Sequence, residues 1–110
     1  MKLYWSIAQG DSLPKLKLYV TDAAGLVEPL TSAIEVAVYM VHVSSGRRIT
    51  LDAAISDAIA GEITVTWAAS HTAQPGRYRL WIVLTFAGGE MTVPTCPDGA
   101  DAIYGEICPR

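Results

Sequence analysis

Charged residues are scarce in this sequence. Lys, Arg, Asp and Glu make up 17% of its 110 residues, against roughly 25% in an ordinary soluble domain. The basic ones are also dispersed, eight of them against eleven acidic residues for a net charge of −3. Their densest groupings are Arg47-Arg48, which reads as part of a solvated turn, and Arg77 with Arg79. Nucleic-acid binding calls for a concentrated basic stripe, which is missing, so no nucleic-acid partner is expected. Long apolar runs are missing too. No segment approaches the ~18 residues that cross a bilayer as a helix. The opening MKLYWSIAQGDSLP lacks the apolar core of about 7–15 residues that a signal peptide carries. A chain made and folded in a cytoplasm, with no membrane partner, is the expectation.

Groups that perform chemistry are equally few. Cysteine is limited to Cys96 and Cys108; two thiols without paired histidines nearby do not make a zinc site. In a cytoplasm they are expected to stay reduced, with a structural or intersubunit disulfide as the alternative. His42 and His71 are the only histidines. His42 falls on an apolar strand face, as a core or edge histidine does. His71 has Ser70 beside it, but adjacent residues seldom place nucleophile and base in reacting geometry. Asp52, Asp57, Glu62, Asp98 and Asp101 are spread through turns. The run Asp98-Gly99-Ala100-Asp101 lacks the alternating oxygen ligands and terminal Glu of a calcium loop, and GDSLPK lacks the spacing of a phosphate loop. No catalytic, metal-binding or cofactor-binding set emerges, and no enzyme or cofactor is expected.

Apolar residues, by contrast, reach 51%. The chain suits one domain over residues 1–110, and the excess of apolar side chains implies surface suited to association. Period-two alternation predicts short strands at 3–8, 15–21, 34–43, 47–51, 62–67, 77–86, 90–93 and 102–108. Asp22 to Gly25, Ser44-Ser45-Gly46 and Gly88-Gly89 supply turns. Only the alanine-rich DAAISDAIA stretch at 52–60 has helical character, and it reads as a single helical turn or an irregular loop. About seven to eight strands with little helix predict an all-β, antiparallel β-sandwich. Trp67 and Tyr78 are its expected large core residues, with the Tyr78 hydroxyl bonding back to the corner at Pro75-Gly76. Trp81 and Val83, Tyr39 and Val41, and Trp5 are the apolar side chains expected to face outward and meet a partner. Trp5, Trp81 and Tyr104 together also suggest a sugar-stacking platform.

The order GDSLPKLKLYVTDAAG, PLTSAIEVAVYM, GEITVTW, HTAQPGRYRLWIVLTF and GGEMTVP resembles the immunoglobulin-like domain at the N-terminus of phage baseplate upper proteins, and related small phage virion proteins. Asp11, Pro14, Asp22, Gly25, Leu30, Thr31, Ala33, Gly61, Val65, Trp67, Thr72, Gly76, Tyr78, Gly89, Thr92 and Pro94 stand at matching places. Each token is a turn residue or a core aromatic; their order and spacing carry the resemblance, over residues 11–107. His71 departs from it, standing where the pattern usually has an acid, and Thr64-Val65-Thr66-Trp67 lacks the common Tyr. The resemblance implies an immunoglobulin-like sandwich and a non-enzymatic virion structural protein, whether of tail, baseplate or head. Such a protein docks onto other virion proteins through sandwich faces or edges, in a homo- or hetero-oligomeric assembly, and here would be a stand-alone version of the domain. A carbohydrate- or receptor-binding sandwich module is the alternative.

Overall fold

A computed structural model describes residues 4–13, 15–21, 29–93 and 103–110. The expected turn at Asp22 to Gly25 and the loop holding Cys96, Asp98 and Asp101 lie outside them. Eight strands follow in chain order: β1 Tyr4–Ala8, β2 Leu16–Tyr19, β3 Ala33–His42, β4 Arg48–Asp57, β5 Glu62–Thr66, β6 Gly76–Phe86, β7 Gly89–Val93 and β8 Ile103–Cys108. There is no helix among the described residues. The all-β reading therefore holds. The strands join in one mixed sheet, nearly barrel-shaped, in the order β1-β8-β6-β3-β4-β5-β2, with β7 also on β6. One pairing departs from the antiparallel expectation, because β1 runs parallel to β8.

Strand β4 joins two halves of this sheet. Its first residues, Arg48 to Leu51, pair with β3, and Asp52 to Asp57 pair with β5. The larger half contains β1, β8, β7, β6, β3 and the start of β4; the smaller contains the end of β4, β5 and β2. The helical turn expected at 52–60 is thus corrected to strand over its first six residues, with a turn following. Buried Ile49 and Leu51 and half-buried Ala53 and Ile55 alternate with exposed Thr50, Asp52, Ala54 and Ser56. Alanine's helical preference is a few tenths of a kcal/mol per residue, and pairing along β5 outweighs it.

The core lies between the halves. Leu18, Val38, Met40, Ile63, Val65, Tyr78, Leu80, Leu84 and Ile107 are almost fully buried, each at an alternate position of its strand, as period-two patterning demands. Trp67 and Tyr78 are both core residues, as expected. Trp5 is not an outward residue: it is buried, with its ring 5.2 Å from Trp67 and 6.4 Å from Tyr78. Its partner in register is Gly105 on β8, and a methyl group there would overlap the indole. A bulge between Ala33 and Glu35 breaks the alternation and leaves Ile34 exposed.

Gly105 is therefore the space that the Trp5 indole occupies. Gly105→Ala is expected to lower unfolding free energy by about 3 kcal/mol through overpacking, measured by denaturant titration. Gly88→Ala, with open space around it, should stay within about 0.5 kcal/mol of wild type. An unchanged midpoint for Gly105→Ala would refute the packing of Trp5 on this strand.

Candidate functional site

Because Tyr78, Leu80, Ile82 and Leu84 of β6 point into the core, the residues between them must point outward. Strand β3 does the same with Val38 and Met40 inside. Register then assembles the outer face of the larger half in rows. Arg79 lies beside Val41 and Tyr104, Trp81 beside Tyr39, Val83 beside Ala37 and Thr92, and Thr85 beside Glu35 and Glu90. Arg48 pairs with Val41 and Thr50 with Tyr39 from β4.

This register brings together four of the five expected contact residues: Trp81, Val83, Tyr39 and Val41, all half-buried. Trp5 belongs to the core, for the reason given above. Tyr39 and Trp81 lie 5.6 Å apart, centroid to centroid, with planes tilted 33°. The Arg48 guanidinium sits 4.3 Å from the Tyr39 ring centre and 5.6 Å from that of Trp81. Arg77 covers Tyr104 at 4.2 Å. Each such cation–π contact contributes about 0.5–1 kcal/mol at an exposed site and holds a flexible arginine in place. Tryptophan, tyrosine and arginine are the residue types that dominate binding energy at protein interfaces. Sequence reasoning missed the arginines, treating Arg48 as part of a solvated turn; its place beside Tyr39 follows from cross-strand register, which alternation alone does not fix.

The histidines serve the backbone. His42 is buried, and its Nε2 lies 3.1 Å from the Pro75 carbonyl, which accepts from it. Its Nδ1 accepts from the Ser45 N–H at 3.1 Å and lies 2.9 Å from the Ser45 hydroxyl. The ring meets Tyr78 edge-on at 5.0 Å. Gly76, at φ 137°, leaves the space in which the imidazole lies. His71 Nδ1 accepts from the Ala68 N–H at 3.0 Å. The Tyr78 hydroxyl donates to the Gln74 carbonyl at 2.7 Å, the bond back to the corner expected from sequence; burial raises its pKa above the ordinary tyrosine value. Cys108 is a free thiol that donates to the Glu106 carboxylate at 3.4 Å. That bond, then burial, raises its pKa, so the thiolate is disfavoured. Among the described residues no three of His, Cys, Asp and Glu converge as a metal site.

The outer face of the smaller half has a different chemistry. Lys15, Asp52, Ser56, Thr64 and Thr66 line a shallow, open groove of about 430 Å³. Thr64 donates to the Ser56 hydroxyl at 2.8 Å, Ser56 donates to Glu62 at 2.7 Å, and Tyr19 donates to the same carboxyl at 2.8 Å. The Ser56 bond, then the Tyr19 bond, lowers the Glu62 pKa, and the shared bond raises that of Tyr19.

A lowered carboxyl pKa stabilises the fold fully above the unfolded carboxylate value and loses that contribution as pH falls through the folded one. Ser56→Ala should therefore move the Glu62 titration, followed by carboxyl-carbon NMR, upward toward the ordinary range. The part of the acid limb that this carboxyl contributes should become shallower, because less of the difference between its folded and unfolded proton affinity is left to lose as pH falls. A Glu62 titration unmoved by Ser56→Ala would sink this account of the network. No family model matches the chain, and no curated protein matches it in sequence, so a function must be argued from the faces themselves.

Proposed function

We propose that this chain is a non-enzymatic structural protein of a bacteriophage or prophage virion. In this reading it is an immunoglobulin-like β-sandwich that docks onto other virion subunits through the outer face of β8, β6, β3 and the start of β4. The observation that carries the docking role is that face: Tyr39, Trp81, Val41 and Val83 in contiguous rows, edged by arginines held on aromatic rings. A half-exposed tryptophan beside a tyrosine, on a chain so poor in charge, is a surface suited to burial against a partner.

The sandwich and its phage affiliation draw on the resemblance over residues 11–107 and on features that agree with it. Strands β2, β5 and the end of β4 would form one sheet, and β1, β8, β7, β6, β3 and the start of β4 the other. The Tyr78-to-Gln74 bond has the form of a tyrosine corner. The non-enzymatic part draws on histidines engaged with backbone and on a thiol held protonated. A sugar platform is the weaker reading, since Trp5 lies in the core and Arg77 covers Tyr104. Stacking on a sugar needs open ring faces.

Purified particles produced from the phage or prophage carrying this gene should contain the chain, detected by mass spectrometry. Trp81→Ala should reduce its incorporation roughly ten-fold or more, as for a central interface aromatic, while its melting profile stays near wild type. Particles that lack the chain would sink the proposal. Glycan-array binding abolished by Trp81→Ala would favour the sugar-binding module instead.

A further inference from the structure

The outer face of the larger half is sorted by charge along its strands. At one end lie Arg48, Arg79 and Arg77, with the exposed Glu106 of β8 beside Arg77 as the one acidic group there; at the other lie Glu35 and Glu90, on either side of Thr85. Between them are two apolar rows, Tyr39 with Trp81 and Ala37 with Val83. The first row is large and the second small. Among the described residues the one ion pair is the exposed Arg110–Asp11 contact at 3.3 Å, so these three arginines make no ion pair there within their own face.

We propose that this face binds a second copy of the chain, face to face, about a two-fold axis lying in the interface and running across the strands. The proposal rests on the reading of this face as a docking surface and adds the occupant and its orientation. An in-plane axis along the strands would set arginines over arginines. An axis across them inverts the row order while keeping β3 over β3 and β6 over β6. Tyr39 then meets Ala37 of the other copy and Trp81 meets Val83, large over small on both strands. Val41, flanked by Arg48 and Arg79, comes over Glu35. Tyr104, flanked by Arg79 and covered by Arg77, comes over Glu90. Each copy gives the other what it receives, which is the condition for an isologous two-fold interface.

Other occupants satisfy the face less completely. A wholly acidic partner meets Glu35 and Glu90, and bases of a nucleic acid meet ring faces already covered by Arg48 and Arg77. Four rows span roughly 20 Å along the strands, and four strands with their side chains a similar width. That is about 400 Å² a side and roughly 800 Å² in all, below the ~1,200 Å² of stable specific interfaces and in the class of weak, transient ones, so association no tighter than the micromolar range is expected.

Sedimentation velocity on the full chain, from about 5 µM to about 500 µM, should show a reversible monomer–dimer equilibrium. Glu35→Arg and Arg48→Glu should each weaken it roughly ten-fold, because each breaks two symmetry-related pairs. Mixing the two variants one to one, or combining them in one chain, should restore it to within about three-fold. Both positions are exposed, and circular dichroism reports whether each variant folds. A monomer at every concentration, a dimer indifferent to both substitutions, or a mixture that fails to recover would each overturn the proposal. If the chain stays monomeric while Trp81→Ala still abolishes incorporation into particles, the docking face stands and only the second copy is lost. A dimer indifferent to these substitutions, with unimpaired incorporation, removes both.

Discussion

Almost everything in this molecule depends on β6 being paired along both edges. β3 takes one side from Tyr78 to Phe86, while β8 and β7 share the other, on either side of Trp81. A strand held in this way cannot rotate its side chains out of register without breaking both ladders. Four large apolar side chains at alternate positions then commit one face to the core, and Trp81 and Val83 are left outside by geometry. The proposed contact surface is therefore a consequence of how the core is packed. Its residues need no special backbone to present them.

The two outer faces divide their polar groups differently. On the smaller half, hydroxyls and a carboxyl satisfy one another through Thr64, Ser56, Glu62 and Tyr19, and such a face gains little from being covered. On the larger half, guanidinium groups rest on rings and keep most of their donors directed elsewhere. An arginine already ordered by an aromatic ring loses less freedom when a carboxylate arrives. The same contact that stabilises the free chain slightly thus lowers the cost of binding. That asymmetry points to the larger half as the docking side.

Much of the fold was legible because period-two alternation is strong wherever one face is buried. Strands β3, β5 and β6 run within a few residues of their expected limits, and Trp67 and Tyr78 are core residues as expected. Three features were not legible, each for a physical reason. The run at 52–60 is rich in a helix-favouring residue, and only pairing with β5 makes it a strand. Trp5 reads as an outward aromatic on a short strand until Gly105 is placed opposite it, and that pairing spans nearly the whole chain. Arg48, Glu35 and Glu90 carry no signal of their own, since a face sorted by charge exists only once β3, β4, β6 and β7 are in register. The site was thus half visible: its apolar centre shows in the alternation, its charged ends only in the pairing.

Association through edges is the competing expectation for any open sheet, and the strands here argue against it. Among the described residues β1, β2 and β7 pair on one side only, and they are 5, 4 and 5 residues long. Short edges offer few backbone groups to an incoming strand. β3 is longer, and from Ala33 to Ala37 it has no partner on the β4 side among the described residues. There the bulge at Ala33/Glu35 and the exposed Glu35 carboxylate disturb the edge, and both discourage strand addition. The Glu35 side chain then serves twice, keeping an edge unpaired and ending the charged order of the face. A chain so poor in charge has few such groups to place. Placing one where it blocks an edge and completes a face would direct association of the proposed kind onto the face, where side chains set the orientation and a growing sheet is not an outcome.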